Sequence, residues 1–91
     1  MHYNKPVQIE FDPAKDEANV VKHGLSLADA GNLEIVRFIE NSREADGERR
    51  FRLYGFVDEL ACCAIVTLRA DKTRVISLRR ANRTERKRYD L

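Results

Sequence analysis

The chain has 91 residues and a mass of 10.6 kDa, the size of one domain, which excludes a large multidomain enzyme. Hydrophobic residues make up 43% of it, enough for one core, while the longest apolar run falls far short of the roughly 20 residues that span a bilayer. Charged residues reach 35%, but 17 Lys and Arg nearly balance 15 Asp and Glu, so the net charge of +2 by itself neither selects nor excludes a polyanionic partner.

The opening Met1-His2-Tyr3-Asn4-Lys5-Pro6 lacks the apolar segment of a secretory leader, and residues 7–11 read as a short first strand. Asp12-Pro13 then predicts a helix start, with a carboxylate at the N-cap and proline at the first helical position. Ala14, Ala18 and Val21 recur at helical spacing, and Lys22-His23-Gly24 supplies a basic last turn and a terminating glycine. Ser26-Leu27-Ala28-Asp29 has the form of a capping box and opens a second short helix through about Leu33, apolar at Leu27, Ala30 and Leu33. The two helices form a bent pair across Gly24.

From Glu34 the texture changes. Residues 35–40 are rich in β-branched and aromatic side chains and predict a strand, followed by a polar loop over residues 41–48 that holds Asp46-Gly47. Residues 50–57 alternate, with Phe51, Leu53, Gly55 and Val57 toward a core and Arg50, Arg52, Tyr54 and Phe56 on an outward face that is basic and aromatic. Residues 60–68 are apolar on both faces, the mark of a central strand. Within them Cys62 and Cys63 are neighbours and point to opposite sides of a strand, so they do not bond to each other. With no further cysteine, they read as buried thiols of a reducing compartment, which favours the cytoplasm.

A turn over residues 70–73 leads into a last strand, residues 74–81, making three consecutive hairpin-linked strands. Asn82 or Thr84 caps a final short helix through Tyr89 that carries Arg83, Arg86, Lys87 and Arg88. The elements together predict an α+β fold, two N-terminal helices packed on a mainly antiparallel sheet with a short C-terminal helix. No zinc-ligand spacing, glycine-rich phosphate loop or Gly-x-Ser-x-Gly elbow is present, so neither a metal nor a cofactor is expected.

The charge is segregated along the chain. Through Leu68 there are 8 basic and 12 acidic residues, against 9 basic and 3 acidic in residues 69–91, which points a polyanion or an acidic partner at the C-terminal end. Strand parity places Val75, Ser77 and Arg79 on one face and Ile76, Leu78 and Arg80 on the other, so the two arginines diverge. Arg69 and Arg74 crowd the tight turn at the opposite end. Arg79 and Arg80 follow directly on apolar core residues, where unpaired charge is costly and a phosphate or carboxylate is the expected compensation. The cations of the last helix read equally as a solvated face. His23 is the histidine beyond the opening stretch and the ordinary candidate for acid–base work near neutral pH, although the helix dipole alone explains it, and Lys22, in a last helical turn. Asp12, Asp16, Glu17 and Asp29 occupy caps and first turns, where carboxylates are structural.

An ordered series of motifs carries a resemblance. Phe11-Asp12-Pro13-Ala14-Lys15, Asn19, Lys22-His23-Gly24-Leu25-Ser26, Gly47-Glu48 with Arg50 and Gly55, Thr67-Leu68-Arg69 and Ile76-Ser77-Leu78-Arg79-Arg80-Ala81, ending near Glu85 and Tyr89, resemble the BrnT family of type II toxins. Lys-His-Gly-x-Ser and the late Ile-Ser-x-Arg-x-Ala are its best anchors. Two positions depart from the pattern: no tryptophan stands near Phe11, and Leu27 replaces a phenylalanine after the serine, both apolar exchanges.

The resemblance implies a RelE-like fold and a metal-independent endoribonuclease that cleaves RNA and inhibits translation and growth. It also implies a cognate BrnA-like antitoxin that neutralises the protein and meets operator DNA only as a complex, with no membrane partner. Cleavage through the 2′-hydroxyl needs a base, cations for the developing phosphorane and an acid for the leaving oxygen. On the family's pattern Arg69, Arg79 and Arg80 stand at the scissile phosphate, with His23 or Lys22 in proton transfer or phosphate orientation. Arg50, Arg52 and Tyr54 read either as tracking the RNA backbone and stacking a base or as sheet-surface solubility. Arg83 reads as a further substrate contact, and Tyr89 as a proton donor or stack, or as packing on the sheet. The alternative is a non-catalytic module that uses the same basic C-terminal surface to dock nucleic acid or an acidic protein. A repressor acting alone is disfavoured, because the helix with the basic cluster is very short.

Overall fold

The computed structural model describes residues 8–40, 49–69 and 71–91. Val7 of the expected first strand, the loop over residues 41–48 with its Asp46-Gly47, and Ala70 in the last turn lie outside the described residues.

Among the described residues, five strands and two α-helices follow in the order β1 (Ile9–Glu10), α1 (Pro13–His23), β2 (Glu34–Glu40), β3 (Arg50–Val57), β4 (Leu60–Arg69), β5 (Lys72–Arg80) and α2 (Arg83–Arg88). The fold is α+β. The strands form one sheet in the order β1-β5-β4-β3-β2, antiparallel except where β1 runs parallel to β5. Residues 60–68, apolar on both faces, do lie in the middle strand. Both cysteines are buried and unbonded, and burial raises both thiols above their ordinary range.

α1 starts and stops where its end signals require. The Asp12 side chain accepts a hydrogen bond from Ala14 N at 2.9 Å, Pro13 occupies the first helical position, and Gly24 ends the helix in the left-handed region at φ 73°. The second expected helix is instead a 3-10 turn, Leu27–Asn32, capped by Ser26. Its geometry suits a segment in which Leu27, Ala30 and the C-cap Leu33, spaced by three, are all fully buried. Asp16 ties the two together by accepting from Ser26 Oγ at 2.9 Å and from Leu27 N at 2.7 Å.

Helical spacing at Ala14, Ala18 and Val21 locates α1 correctly but not its buried face. Those three are exposed, Val21 by 88%, and the buried residue of the helix is Asn19. Among the described residues, β1 pairs with β5 at Thr73 and Arg74 alone, and no described strand lies beside the outer edge of β5 further along. Asn19 takes that place: Nδ2 donates to the Leu78 carbonyl at 2.8 Å and to the Leu25 carbonyl at 2.7 Å, and Oδ1 accepts from Leu78 N at 3.2 Å. A helix side chain thus does the work of a neighbouring strand.

The core lies between the 3-10 turn and one face of the sheet, where Phe51, Leu53, Val57, Cys62, Ala64, Val66, Val75 and Leu78 meet Leu27, Ala30 and Leu33. Strict alternation fails in β5. Ile65 pairs with Ser77 and Val66 with Val75, leaving Ile76 as an extra residue in a bulge. Val75 therefore joins Leu78 on the core face instead of lying on that of Ser77 and Arg79. A second bulge at Val36 sends Ile35 toward the core and Arg37 to the opposite face. No helix among the described residues is long and apolar enough to cross a membrane.

Candidate functional site

The sheet face away from the core carries most of the sheet's arginines. Register divides it into rows. Arg79, Cys63, Tyr54 and Arg37 cross β5, β4, β3 and β2 in one row, and Ser77, Ile65, Arg52 and Ile39 form the next. Arg74, Thr67 and Arg50 form the third. Side chains opposite one another in a row share a face, so Arg37, Arg50, Arg52, Arg74 and Arg79 all project to this side. Arg74 is partly balanced by Glu10 at 3.7 Å.

α2 lies over the first row. Asn82 caps it, with its side chain accepting from Glu85 N at 2.8 Å while the Glu85 carboxylate accepts from Asn82 N at 2.9 Å, a reciprocal capping box. That geometry turns Glu85 down onto the sheet. Its oxygens accept from Arg79 Nη1 at 2.7 Å and Nη2 at 2.9 Å, and from the Tyr54 hydroxyl at 2.8 Å. The paired guanidinium holds the Glu85 carboxyl down at about 2, and the same contact raises Arg79. Burial first, and the bond to Glu85 second, push the Tyr54 phenol up to about 12. Arg52, two residues along the same face of β3, works against that rise. Arg52 sits half-buried between Ile39 and Ile65, and its Nε has no hydrogen-bond partner among the described residues.

The structure corrects the reading of Tyr54 as an outward stacking surface. Tyr54 is 2% exposed, with Tyr89 over its ring at a centroid distance of 4.5 Å. Tyr89 remains half-buried, with the Arg37 guanidinium 5.3 Å from its ring.

His23 and Lys22, in the last turn of α1, line a shallow cavity of about 220 Å³ at the outer edge of β5, together with Asn19, Ile76 and Ser77. They border the second row, whose strand spacing sets the backbone of Ser77 about 10 Å from that of Arg52. Arg69, Arg79 and Arg80 do not gather around one point. Arg69 pairs with Lys72 at the turn end of β4 and Arg79 with Cys63 toward the other end, about 20 Å away at the rise of a strand. Arg80, exposed opposite Cys62, projects on the core side of the sheet. Arg50 is half-buried in the third row, and Arg83 is exposed on α2 in a surface depression with Arg86 and Lys87.

Sequence reading missed two residues of this site. Arg37 went unnoticed because the bulge that turns it to this face follows from packing. Glu85 did carry a local signal, the Asn82-x-x-Glu85 capping box. Among the described residues, no three His, Cys, Asp or Glu side chains cluster as metal ligands.

No curated protein matches the chain. The family model described as "Ribonuclease toxin, BrnT, of type II toxin-antitoxin system" matches residues 11–85. That span runs from the residue before the α1 cap to the carboxylate that docks α2, taking in both edges of the basic face, and the chain belongs to this family of ribonuclease toxins.

Proposed function

We propose that the protein is a metal-independent endoribonuclease of RelE-like fold, acting in the cytoplasm on RNA. It breaks the chain by attack of the 2′-hydroxyl on the adjacent phosphate and so inhibits translation and growth. A BrnA-like antitoxin restrains it, and operator DNA is met only by their complex. The observation that carries this reading is the second row, where half-buried Arg52 lies between Ile39 and Ile65, Ser77 at the row's end lines the cavity of His23 and Lys22, and Arg79 stands one row away.

In this reading Arg52 and the outer edge of Arg79 stabilise the phosphorane charge, which is greatest in the transition state. His23 moves the 2′-hydroxyl or leaving-group proton, and Lys22 orients the phosphate. Arg37 and Arg50, in the rows on either side of Arg52, and Arg83 on α2 hold flanking phosphates, and Tyr89 offers a ring beside them. Arg69, at the far end of the same face, serves a more distant phosphate, and Arg80, on the other side of the sheet, lies off this path.

The test incubates the purified protein, free of antitoxin, with total RNA in excess EDTA, beside Arg52→Ala and His23→Gln variants of matched unfolding temperature. Wild-type cleavage is expected, with a loss of about a hundredfold on Arg52→Ala, the effect of one transition-state donor worth roughly 3 kcal/mol. Equal rates for all three proteins would remove this row from the reaction, and intact RNA in every lane would favour the non-catalytic docking module.

A further inference from the structure

α2 is an unusual way to end a sheet protein. Arg83, Thr84, Arg86, Lys87 and Arg88 are exposed, and its buried residue is the carboxylate of Glu85. A helix docked for stability alone would bury an apolar side chain, since an apolar replacement of a buried ion pair is often neutral or stabilising. Here a charge is taken from water instead and given four donors: two from Arg79, one from Tyr54 and one from the Asn82 backbone. Arg52 stands two residues from Tyr54 on the same face of β3, close enough to pull the phenol down against its burial. One carboxylate therefore holds Arg79, on β5, and the Tyr54 hydroxyl, which is Arg52's neighbour on β3.

We propose that Glu85 is a positioning residue for the ribonuclease reaction, fixing Arg79 directly and Arg52 through the Tyr54 hydroxyl, so that the two cations meet one phosphate with a set spacing. The inference rests on the ribonuclease reading above. Two flexible arginines on a basic face would repel each other and sample many rotamers. Tied to one carboxylate, they are ordered before RNA arrives, and the ordering entropy is not lost during the reaction. The bidentate contact uses one hydrogen on each terminal nitrogen of Arg79, and Nη1 also donates to the Arg80 carbonyl at 3.3 Å, which leaves the second Nη2 hydrogen and Nε–H able to donate to a second anion. Glu85 touches no substrate in this scheme. α2 is then the element that delivers the carboxylate, and Tyr89, stacked on Tyr54, keeps water from the Tyr54–Glu85 bond.

The experiment uses Glu85→Gln, which keeps the side chain's shape and removes its charge, and Tyr54→Phe, which removes the link to Arg52 while keeping the ring against Tyr89. Rates on an end-labelled mixed-sequence ribo-oligonucleotide are measured for folded protein in EDTA, alongside the side-chain N–H signals of 15N-arginine. The expected result is a fall in kcat of roughly tenfold to a hundredfold for Glu85→Gln and a smaller one for Tyr54→Phe, with KM nearly unchanged. The Arg79 signals, sharp and slowly exchanging in the wild type, broaden in Glu85→Gln, and those of Arg52 broaden in both variants. Wild-type kcat in both variants, or a loss confined to KM, overturns the positioning role. So do Arg52 signals unchanged in both. Intact RNA with the wild type defeats the ribonuclease reading itself, and the role of Glu85 in the reaction with it.

Discussion

Glu85 grips Arg79 through both carboxylate oxygens, at 2.7 and 2.9 Å, across the gap between α2 and the sheet. The pair is largely out of water, with side-chain exposures of 25% for Arg79 and 10% for Glu85, so removing one partner strands the other. Arg79→Ala is expected to lower stability by about 3–5 kcal/mol, the usual penalty of an uncompensated buried charge. The double variant Arg79→Ala/Glu85→Ala should lose clearly less than the sum of the two single changes. Urea unfolding of the four proteins measures the coupling, and strict additivity would mean that solvent already neutralises the pair.

The same contact sets the acid response. Glu85 titrates at about 2 in the folded protein against an ordinary 4.5, so the folded state holds its carboxylate more tightly than the unfolded chain does. The resulting stability is fully present above pH 4.5, declines as the pH falls toward 2, and is on the order of 3 kcal/mol. Unfolding of the wild type at pH 5 and pH 3 should show that decline, and Glu85→Gln should show a smaller one. Parallel slopes for the two proteins would assign the acid loss to other carboxylates.

Asn19 closes the β5 edge with three hydrogen bonds, to Leu25 and to both backbone groups of Leu78. Asn19→Ala leaves those groups buried without partners and should cost about 2–4 kcal/mol, the sum of modest bonds and unsatisfied polar atoms. Asn19→Asp should be at least as damaging near neutral pH, because a carboxylate cannot donate to the two carbonyls. Amide exchange at Leu78 reports the edge directly. Retained protection in Asn19→Ala would show that other groups close it.

Legibility followed the range of the interactions. Asp12-Pro13 and Gly24 gave both ends of α1 because caps are local, and the doubly apolar run of β4 gave the centre of the sheet. The sides of β5 were misread because one extra residue at Ile76 moves Val75 to the core face, and a bulge answers to the strands beside it, not to its own sequence. Ala14, Ala18 and Val21 announced a helix without announcing that Asn19 would be the residue facing inward. Tyr54 had its side of the strand assigned correctly. That α2 would cover it depends on a contact with Glu85, 31 positions away, which no periodicity records. The candidate site was thus visible as a set of residue types, while its grouping, with Arg37 and Glu85 in and Arg80 on the wrong side, required the sheet register.

Gly55 and Gly24 separate two reasons for glycine. A Cβ at Gly55 would stand 2.0 Å from the Glu34 carbonyl oxygen and 2.8 Å from its carbon, where the chain entering β2 crosses β3. Backbone on both sides cannot yield as a side-chain tip does, so Gly55→Ala should cost at or above the roughly 1–3 kcal/mol typical of overpacking and displace the start of β2. At Gly24 nothing lies within 4 Å of the added carbon, and the penalty comes only from its φ of 73°. Gly24→Ala should therefore cost about 1 kcal/mol while leaving the sheet intact. Thermal unfolding ranks the two variants, and amide shifts in residues 34–40 show whether β2 has moved. A Gly55→Ala protein as stable as Gly24→Ala, with β2 shifts unchanged, would mean that this crossing is looser than the structure has it.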